Sequence, residues 1–437
     1  MLQGAQQFIF DDGPCTLDEI DRAIEGLELG KPERSSSLLM AWRCGTNRQN
    51  ILRMRVADQW GLPTMPVRFD LGRELAVLGN MRIVRQFEPN WALVDAPHLT
   101  PALERCSYLN LSSGTSATRT IAFPTHEQLF ENARSCNEAF GLSHRRWYWC
   151  TFPFFAHAHE LISKSIAADI PLLNCAPTAV SRINTILNEQ PIELHILTTP
   201  HVATSFLSKH LDVADPSRIR FELAGEYVSL GVVNRLRAKG FKAAVSWGSA
   251  ETSGVAMADL HPQVAGSIGK PLPRYQVTPD QICDRAPLTI AGPAIPSYLF
   301  RNHQLNATHG HFVSKDEVGY DGHNLIFRGR SDKQIKFKGT YINVTEVESW
   351  AKNFDEVDNA FLTVEDTPNQ TELRLYVQCE QKSLWPEIES VIKSRMFQTY
   401  GGIRIHVLSR VALSHTPTGK LIREASQQTQ PFQPSGA

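Results

Sequence analysis

The stretch RIRFELAGEYVSLGVVNRLRAKGFKAAVSW, residues 218–247, sets the architecture of this chain. Arg218–Leu223 has the make-up of a short strand, Val228 to Ala238 is patterned as a helix, and Ala243–Trp247 is a second strand. Working outward, Ser107–Leu111 and Glu193–Thr198 add further strands. A helix opens at Thr125, with Gln128 at capping-box spacing. Leu129, Phe130, Ala133, Cys136, Ala139 and Phe140 then mark one helical face. Strand–helix alternation from about Tyr108 to Gly269 predicts an α/β chain whose sheet is mostly parallel and packed with helices. In such sheets ligands bind beyond the carboxyl ends of the strands.

The pattern changes beyond Gly329. Asp321-Gly322 is a hairpin turn followed by a strand over Asn324–Arg328. Helices are expected at Glu346–Phe354 and Trp385–Met396, and strands at Asn359–Val364, Leu373–Cys379 and Ile403–Val407. The expected organisation is a large N-terminal domain, residues 1–331, and a small α+β C-terminal domain, residues 332–437.

Bulk properties narrow the function classes. The 437 residues carry 44 Lys plus Arg against 45 Asp plus Glu, so no excess charge points to nucleic acid. No apolar run is long enough for a membrane span, and the first residues lack the basic and apolar regions of a secretory leader. Eight cysteines contain no C-x-x-C pair, as expected of free thiols in a cytoplasmic protein.

Four segments carry chemistry. Ser112-Ser113-Gly114-Thr115-Ser116 follows a strand, and its hydroxyls and backbone N–H groups could wrap phosphate oxygens, although such runs are commonly plain surface loops. Trp247-Gly248-Ser249-Ala250-Glu251 offers an aromatic face for a purine, a glycine for close approach and a carboxylate for Mg2+; a core Trp with a solvated Glu fits equally. Arg328–Gly339 packs charges between glycines, as a solvated face or an interdomain hinge would. Ser414–Lys420 places a lysine in a Pro/Gly loop.

In this order the four segments resemble the adenylate-forming superfamily of acyl- and aryl-CoA synthetases, peptide-synthetase adenylation domains and luciferases, over Leu109 to Arg423. The resemblance implies ATP-dependent activation of a carboxylic acid as its acyl-AMP, followed by transfer to the thiol of coenzyme A or of carrier-protein phosphopantetheine. It places Ser112–Ser116 on the phosphates, Gly225 and Glu226 beside the adenine, Trp247 and Gly248 along the nucleotide, and Glu251 on Mg2+. Asp316 corresponds to the aspartate that takes the ribose hydroxyls, and Arg330 lies near the ribose. Asp332 is the hinge of a mobile C-terminal domain, Lys420 the lysine of the adenylating step, and Lys336, with Gly339, part of the thioester-forming arrangement.

The segment Phe152–Glu160 resembles the family's aromatic stretch beside the acyl pocket, with Phe155 and His157 toward substrate. Its aromatic character fits a small aryl acid of hydroxybenzoate type, and a core-packing role for the same residues fits at least as well. An acyl carrier protein is an alternative partner to free coenzyme A, and the state expected is a monomer or homodimer. Two departures stand out. The phosphate loop continues Ala117-Thr118-Arg119-Thr120 without its lysine, and Ala250 replaces a threonine. They support a second reading, a catalytically weakened homologue that serves as a ligand- or carrier-protein-binding module.

Overall fold

A computed structural model describes residues 7–10, 13–27, 29–33, 35–68, 71–112, 119–176, 180–208, 213–366, 371–410, 413–415 and 421. The expected strand–helix–strand unit is present as Ile219–Leu223, Leu230–Ala238 and Lys242–Ser249. Its strands lie in a 13-stranded sheet. From Gln7–Phe10 the sheet runs in parallel through Leu172–Asn174, Arg146–Cys150, Glu193–Thr198 and Ile219–Leu223 to Lys242–Ser249. Beyond that strand the ladder turns antiparallel through Gly254–Asp259, Ser267–Pro271 and Leu325–Arg330. The whole is therefore mixed α/β: the helical crossovers give the parallel half, and hairpins such as the one at Asp321-Gly322 give the other.

Local chemistry fixes the helix starts. Thr125 and Gln128 form the expected capping box, with Gln128 N donating to Thr125 Oγ1 and Thr125 N to Gln128 Oε1. Leu129, Ala133, Cys136 and Phe140 of that helix are buried, as its apolar face requires. His157 and His159 belong to a helix, Phe154–Ala168, and His157 breaks its regularity with φ −141° and ψ 22°. The core on one side of the large sheet runs from Phe8 through Tyr148 to Leu325, and the one on the other gathers Ile196, Phe221 and Val233.

Two smaller sheets flank this frame. One orders Thr64–Val67, Leu38–Arg43, Trp91–Asp95 and Arg82–Glu88; the other pairs Tyr298–Arg301 with Ile121–Phe123. Beyond Arg330 the chain builds a separate core. The hairpin Gln334–Phe337 and Thr340–Asn343 is followed by helices Val344–Lys352 and Trp385–Tyr400 and by a three-stranded sheet, around Val347, Leu375 and Ile392. This smaller unit touches the larger one along helix Leu230–Ala238. A Cβ on Gly231 would fall 2.5 Å from Asp355 Cα, and Arg235 Nη2 donates to Asp358 Oδ1 at 3.1 Å. Among the described residues, no helix is long and apolar enough to cross a membrane.

Candidate active site

The strand Lys242–Ser249 ends in a β-bulge at Trp247/Gly248, and the turn after it carries Glu251. A bulge re-aims the side chains beyond it. Packing requires glycine at position 248: a Cβ would lie 2.2 Å from Gly254 O and 2.6 Å from Val255 Cα. Ser253, at φ 57°, closes the turn, and its hydroxyl donates to Ala294 O at 2.6 Å.

Trp247 is half-buried, and its indole Nε1 donates to Asp316 Oδ2 at 2.6 Å. Asp316 Oδ1 accepts from Arg330 Nη1 at 2.8 Å. Arg330 also forks onto Asp332, Nε to Oδ1 at 2.9 Å and Nη2 to Oδ2 at 3.0 Å. The antiparallel pairing Asp316↔Arg330 sets this register. Burial raises the Asp316 carboxyl above its ordinary value, against the pull of the Arg330 charge and the Trp247 N–H. Three of the expected site residues and the expected hinge residue thus form one bonded group.

Glu251, largely buried, faces Arg301, whose Nη2 lies 3.4 Å from Glu251 Oε1. Arg301 Nε donates to Thr120 Oγ1 at 2.9 Å. Ser112 closes the loop's neck, with Thr120 N donating to Ser112 Oγ at 3.0 Å and Ser112 N to Thr120 O at 2.9 Å. Ser113, Gly114, Thr115 and Ser116 lie outside the described residues, as does Lys420. Arg119, which stands near the place of the loop's missing lysine, is paired at 2.5 Å with the buried carboxylate of Glu74.

Gly225 takes a left-handed φ of 88°, and Glu226 Oε1 accepts from His201 N at 3.3 Å. The His201 ring stacks on His415, with centroids 3.7 Å apart and planes 13° from parallel. His415 and Leu421 form an isolated antiparallel bridge. Lys336 joins none of these groups. It is exposed on the hairpin, its ammonium 5.7 Å from the Tyr341 ring centroid.

Phe155 and His157 are half-buried on the kinked helix, whereas His159 is 1% exposed. His157 Nδ1 is hydrogen-bonded to Glu160 Oε2. Glu160 Oε1 also takes the Lys164 ammonium at 3.2 Å and Val255 N at 3.1 Å. His159 Nε2 lies 3.1 Å from Ser253 O. The turn carrying Glu251 and the helix carrying His157 therefore share one buried polar network. A Glu160 charge depressed well below the usual carboxylate range, by Lys164 and His157 against its burial, sits at the centre. Sequence inspection reached Glu160 only as the end of the aromatic segment, and it missed Lys164 and Arg301. The His157, Glu160, Lys164 spacing was a readable helical signal for the first two; Arg301 had none. Among the described residues no group of three His, Cys, Asp or Glu side chains is placed to hold a metal ion.

Carboxylates, an arginine and a half-buried indole come together between the last parallel strand and the antiparallel part of this sheet, an arrangement that suits a nucleotide-binding α/β enzyme. Residues 58–279 match the model of a family described as "AMP-binding enzyme", and the chain belongs to that family, whose common chemistry is AMP-forming activation of an acid. Its fold resembles O-succinylbenzoate coenzyme A synthetase (MenE) from Bacillus subtilis in complex with ATP and magnesium ion: 17% identity, 98% of each chain covered, TM-score 0.70. The same enzyme in complex with AMP gives 15% identity over 98% of this chain and 96% of that one, TM-score 0.73. Klebsiella oxytoca NpsA in complex with 3-hydroxyanthranilyl-AMSN gives 15% identity over 96% of this chain and 95% of that one, TM-score 0.69. Comparison with curated proteins finds no match.

Proposed function

We propose that this chain activates a small aryl acid with ATP, releasing pyrophosphate, and then passes the acyl group to a thiol, of coenzyme A or of a carrier protein's phosphopantetheine. The observation that carries this reading is the bonded group Trp247–Asp316–Arg330–Asp332, with Glu251 and the loop neck Ser112/Thr120 joined through Arg301. The donors fit a magnesium nucleotide. Asp316, fixed by two donors, retains acceptor capacity for ribose hydroxyls. Glu251 is a hard oxygen ligand at the end of a strand. Mg2+ bound there would supply positive charge to the phosphates.

The residues of the chain then divide the work. Gly225, Glu226 and the Trp247 face receive the purine, and Ser112 with the following loop receives the phosphates. His157, oriented by Glu160, and Phe155 face the acid. The Bacillus subtilis ligase is named for an aromatic acid and the Klebsiella protein holds an aromatic acyl group, which supports the aryl class. Lys420 would bridge carboxylate and α-phosphate oxygens, offsetting the negative charge that develops as they meet. The stacking of His415 on His201, whose backbone N–H donates to Glu226, supports that placement. For the second step, residues 332–437 would turn about Asp332 and bring Lys336 inward from the exposed hairpin.

Acid-dependent ATP–pyrophosphate exchange across aryl, acyl and amino acids tests the proposal, with Lys420→Ala as control. Exchange with aryl acids that is lost in the variant is the expected result. Failure of every acid to promote exchange, despite ATP binding, would refute it.

A further inference from the structure

The loop that should hold the phosphates lacks a lysine, so the site needs another cation for the leaving end of ATP. Two arginines stand at the loop's neck. Arg119 is committed to Glu74, whose side chain is only 3% exposed. Arg301 is placed differently. Its strand pairs Phe300 with Ile121, which sets Arg301 alongside Thr120, the last residue of the loop. Asn302 and His303, at φ 53° and 61°, turn the chain immediately afterwards and fix where the strand ends. From there the guanidinium spans Thr120 Oγ1 at 2.9 Å and Glu251 Oε1 at 3.4 Å.

A structural role accounts poorly for this placement. The Arg301 side chain is 36% exposed, and an ion pair that open to water contributes little to stability. A planar guanidinium with five donors, by contrast, suits phosphate oxygens. Only Nε and Nη2 are engaged by Thr120 and Glu251, which leaves N–H donors for an anion. When a cation neutralises Glu251, the arginine's charge is released toward the same anion.

We propose that Arg301 is a catalytic residue of the acid-activating step, the cation that holds the β- and γ-phosphates of ATP and the departing pyrophosphate in place of the missing lysine. The inference rests on the acid-activating function proposed above. In that step a carboxylate oxygen of the acid forms a bond to the α-phosphorus. The bond from the α-phosphorus to the α,β-bridging oxygen breaks, and pyrophosphate leaves with the electron pair. Arg301 stays protonated throughout and meets the charge that accumulates on the leaving group.

The test uses the full chain with Arg301→Ala and Arg301→Gln, the second keeping a polar donor toward Thr120 should the first fail to fold. Binding of inorganic pyrophosphate and of ATP is measured by calorimetry, beside ATP–pyrophosphate exchange. Loss of the charge should weaken pyrophosphate binding about 10- to 100-fold. It should lower the exchange rate about 10²- to 10³-fold. Added guanidinium ion should restore part of the rate of Arg301→Ala. Unchanged pyrophosphate affinity and exchange in either folded variant, with an active wild type, overturns the assignment. A wild type that binds ATP but exchanges with no acid overturns the acid-activating function, and this inference with it.

Discussion

Trp247 and Asp316 are joined by a 2.6 Å hydrogen bond from indole Nε1 to carboxylate Oδ2, across 69 residues of sequence. The bond ties the last strand of the parallel half of the sheet to the hairpin that leads to Asp332. It holds the indole plane in one orientation while leaving the ring half-exposed. Because burial already raises the Asp316 carboxyl, the Trp247 and Arg330 donors are what keep its charge in place.

Trp247→Phe preserves an aromatic face and deletes that donor. Loss of a hydrogen bond to a buried charge costs about 1–3 kcal/mol. The carboxyl should move further up, so the acid limb of the exchange-rate profile should shift to higher pH. Asp316→Asn should weaken ATP binding about tenfold, by loss of one charge-assisted acceptor. A pH profile of Trp247→Phe that superimposes on the wild type would show that the indole N–H does not support the carboxylate.

Gly248→Ala should destabilise the fold rather than only slow a reaction. The added methyl would sit 2.2 Å from Gly254 O, a backbone atom with no rotamer to yield. Overpacking of this kind costs about 1–3 kcal/mol, with displacement of the bulge and hence of Glu251. Denaturant unfolding of the variant checks the cost. An unfolding midpoint equal to the wild type's would mean that the bulge relaxes freely.

How legible all this was in sequence depended on the range of the interactions. The capping box at Thr125 and the strand at 219–223 are local, so propensity and spacing found them. The parallel half of the sheet followed from alternation. Its antiparallel continuation did not, because the pairing of Ser267–Pro271 with Leu325–Arg330 joins segments with no shared local signal. Trp247, Glu251, Asp316 and Arg330 were singled out through ordered motifs, yet the bonds of Asp316 to Trp247 and Arg330, and of Glu251 to Arg301, could not be read. Arg301 is the clearest gap. It sits in a short strand whose partner, Ile121–Phe123, is remote in sequence, and nothing in Tyr298–Arg301 marks it.

The Glu160–Lys164 pair gives a sharper test of buried charge. Both side chains are sealed from solvent, at 1% and 0% exposure, with 3.2 Å between the charged atoms. Lys164→Met would leave Glu160 buried with a depleted set of donors, and breaking such a pair costs about 3–5 kcal/mol. The double variant Glu160→Gln, Lys164→Met should recover much of that loss, because no lone charge remains. A double-mutant cycle by denaturant unfolding measures the coupling. A change below about 1 kcal/mol in Lys164→Met would mean that Glu160 is solvated or protonated in the folded protein.

His159 should make stability fall on mild acidification. Burial lowers its imidazole to about 4 in the folded chain, against an ordinary value of about 6.5. The unfolded chain therefore binds a proton between these values that the folded chain refuses. With a folded value below the unfolded one, stability is lost as pH falls from about 6.5 toward 4. The loss attributable to this one group between pH 7 and pH 5 is about 2 kcal/mol. Glu160, whose folded value is depressed, keeps its contribution throughout that interval and surrenders it only at lower pH. The two groups are thus separable by pH. His159→Gln should make the stability profile less steep between pH 7 and 5, where His195 and His415 still contribute, while leaving the fall in stronger acid. Equal slopes for variant and wild type in the upper interval would show that the folded protein accepts a proton at His159 as readily as the unfolded chain does.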